Sequence, residues 1–293
     1  MLKKKKLSDY YVDKLDKIFR EKNWKYTEPG KYSVFDRFCE RMETLENDEQ
    51  RDLMIELTHN FLWISFDKYE EYLLEVMNKL FCSDEWNERD KSKAIFICPL
   101  LSPNDFTKVK SGIVMGYLCQ MISLRTYPEF QNDQIRVCKN PEILKEYIEK
   151  IGALVLLDDF IGSGETAIEC LAYLDFLRSN NIKIYVVALV AQKKGVENIK
   201  KFFNVPVFES ILRERGISDS YPEQEVKKKL EIMKSISKSI KVNKKMYLGY
   251  AETESLVAMI KTPNNTFPVY WYENEKSKAP FVRKANIKEI SGD

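Results

Sequence analysis

Leu154-Val155-Leu156-Leu157-Asp158-Asp159-Phe160-Ile161-Gly162-Ser163-Gly164-Glu165-Thr166 is the stretch on which the fold is read. Residues 153–157 are an unbroken apolar run without alternation, the mark of a strand buried on both faces of a parallel sheet. The run ends on two adjacent carboxylates, crosses a small-residue loop and enters helical spacing, with Ala167, Cys170, Leu171, Leu174 and Leu177 on one side. In an open parallel sheet, ligands bind beyond the carboxyl ends of the strands. Gly162 and Gly164 let backbone N–H groups approach an anion, and Ser163 and Thr166 add hydroxyl donors. The helix N-terminus contributes a partial positive charge worth about 0.3–1 kcal/mol to a phosphate. Asp158 and Asp159 have the chemistry to accept vicinal ribose hydroxyls or to hold a hydrated Mg2+. Together these parts describe a sugar-phosphate cradle.

The same grammar continues on both sides. Residues 94–98 read as a short strand ending at Pro99, and Ser111-Gly112 opens a helix through Val114, Tyr117, Leu118 and Met121. Residues 182–190 read as a second buried strand, residues 195–203 as a helix, and Val205-Pro206-Val207-Phe208 as a short strand. Such alternation predicts an α/β domain with a mostly parallel sheet. The first 90 residues differ. Three stripes at helical spacing run through Tyr11, Leu15, Ile18 and Phe19, through Val34, Phe35, Phe38, Met42 and Leu45, and through Tyr69, Leu73, Val76, Met77 and Leu80. Tyr26-Thr27-Glu28-Pro29-Gly30 breaks the first from the second, and polar residues 83–92 end the helical part. The expected division is therefore a helical region over 1–90 and an α/β domain over 91–293.

Composition narrows the class. The chain has 293 residues, 44% hydrophobic, which is ample for a packed core and excludes a disordered or low-complexity protein. Lys+Arg 47 against Asp+Glu 45 leaves +2, too balanced to mark a nucleic-acid or membrane binder by net charge. No apolar stretch approaches the roughly 20 residues of a membrane-spanning helix. Lys3 to Lys6 run straight into Ser8-Asp9-Tyr10 without the apolar core of a secretory leader, so a soluble, cytoplasmic protein is expected. Cysteines at 39, 82, 98, 119, 138 and 170 lack C-x₂₋₄-C spacing and read as buried small hydrophobes in a reducing compartment. The one histidine, His59, lies in a helical stretch and removes multi-histidine metal sites.

Residues 223–246 carry an apolar stripe of Val226, Leu230, Met233, Ile236 and Ile240. Lys227, Lys228, Lys229, Lys234, Lys238, Lys241, Lys244 and Lys245 fill the other faces. Two readings stand side by side: a solvated amphipathic helix, or a basic surface over Lys227 to Lys245 for nucleic acid or an acidic partner.

The cradle is not a Walker A loop, because no lysine follows its glycines, nor a dinucleotide fingerprint, because its acids precede the loop. It resembles, almost position by position, the 5-phosphoribosyl-pyrophosphate (PRPP) motif of type I phosphoribosyltransferases: four apolar residues, two acids, two apolar residues, then a small-residue loop ending in Thr or Ser. The resemblance implies a phosphoribosyltransferase-like parallel sheet flanked by helices, and Mg2+ as cofactor. It also implies catalytic Asp158 and Asp159 on the ribose hydroxyls and in contact with Mg2+, and a 5′-phosphate wrapped by Ile161, Gly162, Ser163, Gly164, Glu165 and Thr166. Phe160 and Gly162 depart from that family's usual residues. Glu165 places a carboxylate where a phosphate is expected, at a cost of about 1 kcal/mol even in a water-like dielectric. The cradle is thus expected to take a ligand other than PRPP, or to hold Glu165 outward. The family's pyrophosphate loop has one counterpart, residues 99–112, where Lys108, Lys110 and Ser111 serve pyrophosphate or are ordinary surface groups.

A second resemblance is narrower. Leu248-Gly249-Tyr250-Ala251-Glu252-Thr253-Glu254-Ser255-Leu256-Val257, then Thr262-Pro263-Asn264-Asn265-Thr266-Phe267-Pro268 and Trp271, is similar to the C-terminal signature of phosphoribosyltransferase-like effectors of bacterial conflict systems. Some of these are encoded beside retron reverse transcriptases with a winged-helix partner. The resemblance implies a role in anti-phage defence and partners of those two kinds. Residues 249–259 are expected to form a loop capped into an apolar helix and 269–272 a last strand, with Asn264 and Asn265 on the base side of a ligand or in a plain turn. Three functions follow: a glycosyl-transfer enzyme using PRPP or a nucleotide, a non-enzymatic nucleotide sensor or scaffold, and a nucleotide or NAD-type glycosyl hydrolase acting as a toxin.

Overall fold

Five apolar segments become strands: Ala94–Pro99 (β1), Ile135–Val137 (β2), Ile151–Ile161 (β3), Lys183–Gln192 (β4) and Val207–Arg213 (β5). In the computed structural model, which describes residues 6–26, 33–128, 130, 135–274 and 278–283, they form one sheet. Every neighbouring pair is parallel, in the order β2-β1-β3-β4-β5. Residues 27–30 of the helix-breaking stretch lie outside the described residues. The central strands are buried on both faces, which is why their apolar runs do not alternate. On one face, Phe96, Cys98, Leu154, Leu156 and Val186 share a cluster with Ala167, Cys170 and Leu171 of helix Glu165–Tyr173. Tyr185 points the other way, against Trp86, and helix Tyr69–Phe81 packs on β4 and β5.

The strand order decides where a ligand can go. The chain leaves β1 for β2 in one direction and leaves β3 for β4 in the other, so the order reverses between β1 and β3. At such a switch point the loops after the two strands diverge and open a crevice beyond their carboxyl ends. Both loops singled out in the sequence, residues 99–112 and 161–166, follow these two strands.

The sheet belongs to one of two compact units, within residues 65–213; the other joins the described residues up to 64 to those from 214 to 283. The change of sequence pattern near residue 90 lies inside the sheet unit, because helix Tyr69–Phe81 packs on the strands. In the other unit, helices Asp9–Glu21, Val34–Glu43, Asp48–His59 and Glu223–Ser239 bury Phe19, Phe38, Met54 and Met233 in one core with Phe267, Tyr270 and Phe281. Leu62–Trp63 pairs in parallel with Val257–Ala258, tying the two chain segments together. No helix among the described residues is long and apolar enough to cross a membrane.

Three local expectations are corrected. The central strand does not stop at the acids: β3 continues through Asp158, Asp159 and Phe160 to Ile161, because β4 is long enough to pair with it as far as Ala191. Residues 249–259 do not form an apolar helix. Ala251, Glu252 and Glu254 take φ of 54°, 50° and 49°, which a right-handed helix cannot accommodate, and only a short 3-10 turn and strand Val257–Ala258 form. Buried side chains hold this path: the Glu254 carboxylate accepts the Ile217 and Ser218 N–H groups at 3.0 and 2.8 Å, and the Thr253 hydroxyl donates to the Asn265 carbonyl at 3.0 Å. Nor are residues 269–272 a strand. Pro268 fixes the start of a 3-10 turn, Pro268–Tyr270, closed by Tyr270 N–H on the Phe267 carbonyl at 3.1 Å.

Candidate functional site

At the carboxyl end of β3, the two acids are held in different ways. Asp158 is half-buried; its Oδ1 accepts the Ser111 hydroxyl at 2.6 Å and the Asp159 backbone N–H at 2.8 Å. Asp159 is buried and its Oδ2 accepts the Tyr69 phenol at 2.8 Å. Ser111 opens helix Ser111–Leu118, seated on the ends of β1 and β3 where a side chain at Gly112 would meet Pro99 and the Leu157 carbonyl at 2.9 Å. Each carboxylate is therefore paired with one hydroxyl, the kind of donor a sugar presents. Burial, and then the charge of Asp159, push the Asp158 carboxyl well above the usual carboxylate range, with Ser111 working against the shift.

Beyond Ile161 the loop is tightly supported. Gly162, Ser163 and Gly164 are buried, and Gly164 adopts φ +85° as the residue preceding helix Glu165–Tyr173. A Cβ on Gly195 would stand 2.3 Å from the Gly162 carbonyl oxygen, so the start of helix Lys193–Phe203 touches the loop backbone directly. Asn198 from that helix donates to the Ser163 carbonyl at 2.9 Å. The Ser163 hydroxyl accepts the Glu165 N–H at 3.4 Å, and Glu165 is exposed. Thr166 is likewise exposed. The first N–H groups of a helix have no partner within it, and here they follow a loop whose backbone is fixed from behind.

The second loop is less free than its lysines imply. Lys108 and Lys110 both reach Asp105, at 2.7 and 3.1 Å. Burial pushes the Asp105 carboxyl up, but the hydrogen bonds from both lysines outweigh it and hold Asp105 below the usual range. Asp158, Asp159, Ile161, Gly162, Ser163, Gly164, Glu165, Thr166, Lys108, Lys110 and Ser111 all belong to the sheet unit. Asn264 and Asn265 belong to the other, where the Asn264 carbonyl accepts the Tyr250 N–H at 2.9 Å and the Asn265 amide donates to the Tyr250 carbonyl at 3.3 Å.

The lysine helix also belongs to the other unit, and its faces differ. Lys228 pairs with Glu49 at 2.7 Å and Lys229 with Glu56 at 2.5 Å. Lys238, Lys244 and Lys245 have no ion pair among the described residues and, with Lys234 and Tyr247, line a cavity of about 490 Å3. His59 is exposed at its helix end, 3.7 Å from Glu21.

Four residues of the site escaped the sequence reading. Tyr69 is one apolar-stripe residue among many, and Asn198 is one polar residue on a helix; neither carries a signal. Asp105 could have been found from its spacing of three and five residues before the two lysines. Gly195, directly after a buried strand, matches the strand–glycine–helix pattern of a close backbone approach.

As to metals, no three His, Cys, Asp or Glu side chains converge among the described residues. Asp158 and Asp159 supply two carboxylates, a donor set that fits a Mg2+ completed by water and ligand phosphates rather than by protein alone.

A parallel sheet with an acid pair and a supported small-residue loop at its switch point defines a phosphoribosyltransferase-like protein. The chain belongs to the PRTase-CE family, the phosphoribosyltransferase-like effectors of conflict systems, whose profile matches residues 36–283. Among solved structures, orotate phosphoribosyltransferase from Aeropyrum pernix aligns at 15% identity over 50% of this chain and 71% of its own, with TM-score 0.30. The AQ2163 protein from Aquifex aeolicus aligns at 14% identity over 72% and 88%, also with TM-score 0.30. No curated protein matches the chain.

Proposed function

We propose that the crevice between β1 and β3 binds the ribose 5-phosphate portion of PRPP or a nucleotide, and that the chain acts through this site as an effector in anti-phage defence. The observation that carries the reading is the pairing of each acid with a protein hydroxyl: Asp158 with Ser111 and Asp159 with Tyr69. A carboxylate oxygen that accepts a serine or tyrosine O–H is equally suited to a ribose O–H. The phosphate would lie on the backbone of residues 162–166, held rigid by Gly195 and Asn198. With the 5′-phosphate and the ribose hydroxyls both fixed, catalysis of glycosyl transfer is positioning plus electrostatics. The acid pair lies on the sugar side, where positive charge builds at the anomeric carbon as the leaving group departs. Mg2+, when bound by Asp158, Asp159 and the ligand, supplies charge neutralisation to a leaving pyrophosphate.

A second reading, a nucleotide sensor without turnover, draws on the Asp105 clamp. Both lysines that would meet a pyrophosphate already share one carboxylate, so the loop's positive charge is partly spent within the loop. The partner in either case is a defence-system protein, a reverse transcriptase or winged-helix protein, or nucleic acid at the unpaired lysines. Mass spectrometry of small molecules co-purifying with the protein, then incubation with PRPP, nucleotides and NAD, separates the readings. A retained ribose phosphate with product formation supports the enzyme, and retention without turnover supports the sensor. A preparation that retains and converts none of them contradicts both.

A further inference from the structure

Cysteines 98 and 138 were expected to be inert apolar filling, together with the other four. The structure separates them. Cys119 and Cys170 are buried, Cys39 is half-buried, and Cys82 is exposed. Cys98 is fully buried near the end of β1, and Cys138 follows the last residue of β2. The parallel register Ile95↔Ile135, Phe96↔Arg136, Ile97↔Val137 continues one step further, with the Cys138 N–H on the Ile97 carbonyl at 2.8 Å. Cys98 therefore faces Cys138 across the two strands. Adjacent strands lie about 4.7–4.9 Å apart, within the Cα separation that a disulfide spans. Both side chains enter the same core cluster, so they lie on the same face of the sheet, and the Cys138 thiol donates to the Arg136 carbonyl at 4.0 Å. Cys138 is half-buried, whereas Cys98 is fully buried.

We propose that Cys98 and Cys138 are a peroxide-responsive dithiol that closes to a disulfide at the edge of the sheet. The environments of the two thiols fit an attacking and a resolving member. The neighbouring Cys98 thiol, helped by Arg136 and opposed by burial, holds the Cys138 thiol below its usual range. Burial pushes Cys98 well up; it also raises Cys39 to about 11 and Cys119 and Cys170 to about 12. A partly exposed thiol of lowered pKa beside a resolving thiol is the arrangement that oxidises selectively. The Cys138 thiolate attacks one oxygen of a hydroperoxide, the O–O bond breaks, and the departing hydroxide or alkoxide takes up a proton. The resulting sulfenic acid is attacked by the Cys98 sulfur; its S–O bond breaks and water leaves with the Cys98 proton. Two thiols lose two electrons and the peroxide gains them. Because Cys98 directly precedes Pro99, the bond would tether the start of the crevice loop to β2.

The test uses the whole protein and hydrogen peroxide at about one equivalent. The expected result is loss of two of the six free thiols. A Cys98–Cys138 linked peptide should appear in non-reducing digests, and dithiothreitol should restore all six. In Cys98→Ser the same dose should leave Cys138 as a sulfenic acid that dimedone captures, and in Cys138→Ser no captured acid should appear at residue 98. Circular dichroism of both variants confirms that they fold. Were a variant not to fold, the linked peptide in the unaltered chain decides alone. Oxidation of Cys82 before Cys138, or of Cys138 with no link to Cys98, overturns the proposal.

Discussion

Tyr69→Phe removes a single hydroxyl from a buried pair. Tyr69 is 1% exposed and Asp159 5%, with 2.8 Å between the phenol and Oδ2. Without the hydroxyl, a buried carboxylate oxygen loses its donor while the ring still fills its place. Hydrogen bonds to charged groups contribute about 1.5–3 kcal/mol, which at about 2–4 °C per kcal/mol in a domain of this size is a fall in Tm of roughly 3–12 °C. Asp159→Asn keeps an oxygen for the Tyr69 phenol and removes the charge that raises Asp158, so its two effects oppose and its net cost should stay within about 1 kcal/mol. Thermal and urea unfolding of the two single variants and the double variant measure the difference. In the double variant the phenylalanine should cost less than it does alone, since no charge is left unpaired. Equal losses in both single variants, or a Tyr69→Phe protein as stable as the parent, would refute the coupling between helix Tyr69–Phe81 and the acid pair.

Three further outcomes follow from the same geometry. Since burial and the Asp159 charge raise Asp158 in the folded chain, the folded state retains a proton that the unfolded chain has released. Stability is then highest below the ordinary carboxylate value of about 3.9 and declines as pH rises toward the raised one; Asp158→Asn should flatten that decline in a Tm–pH profile, and parallel profiles would contradict it. Gly195→Ala drives a methyl to within 2.3 Å of the Gly162 carbonyl oxygen, and because both partners are backbone the loop must move. An overpacking cost of about 1–3 kcal/mol is expected, with weakened phosphate-ligand binding in calorimetry, and unchanged values for both would count against the loop's tight support. Reversing Lys238, Lys244 and Lys245 to Glu should abolish any salt-sensitive retention on nucleic acid, whereas reversing Lys228 and Lys229, already paired with Glu49 and Glu56, should change it little. Equal effects of the two sets would return the whole helix to a solvated face.

Much of the sheet was legible because buried parallel strands write themselves as unbroken apolar runs, and residues 153–157 and, beyond Lys183, 184–190 are such runs. The strand, loop and helix around the acid pair were legible because they are consecutive, following one another in thirteen positions. Its supports were not, because they come from distant segments. Tyr69 lies ninety positions before Asp159, and its phenol is invisible in a stripe of apolar residues. The path of residues 249–254 was misread for a different reason. Its apolar spacing suits a helix, but Thr253, Glu254 and Asn265 spend their hydrogen-bonding groups on backbone far along the chain. Positive φ at three non-glycine residues has no signature in local propensity. The third helical stripe was correctly read as a helix, yet nothing in its periodicity tells that it packs on β4 and β5.

The central claim, that the acid pair and its loop hold a ribose 5-phosphate, is tested most directly by calorimetric titration of the full chain with PRPP and with nucleoside monophosphates, each with Mg2+. The same titrations are repeated on the Asp158→Asn, Asp159→Asn double variant. The account expects saturable binding of at least one of these ligands by the parent protein. It expects that binding to be lost in the double variant while its Tm stays within a few degrees, because adjacent, mutually repelling carboxylates contribute little to stability. Failure of every ligand to bind the parent, or equal binding by a folded double variant, would contradict it.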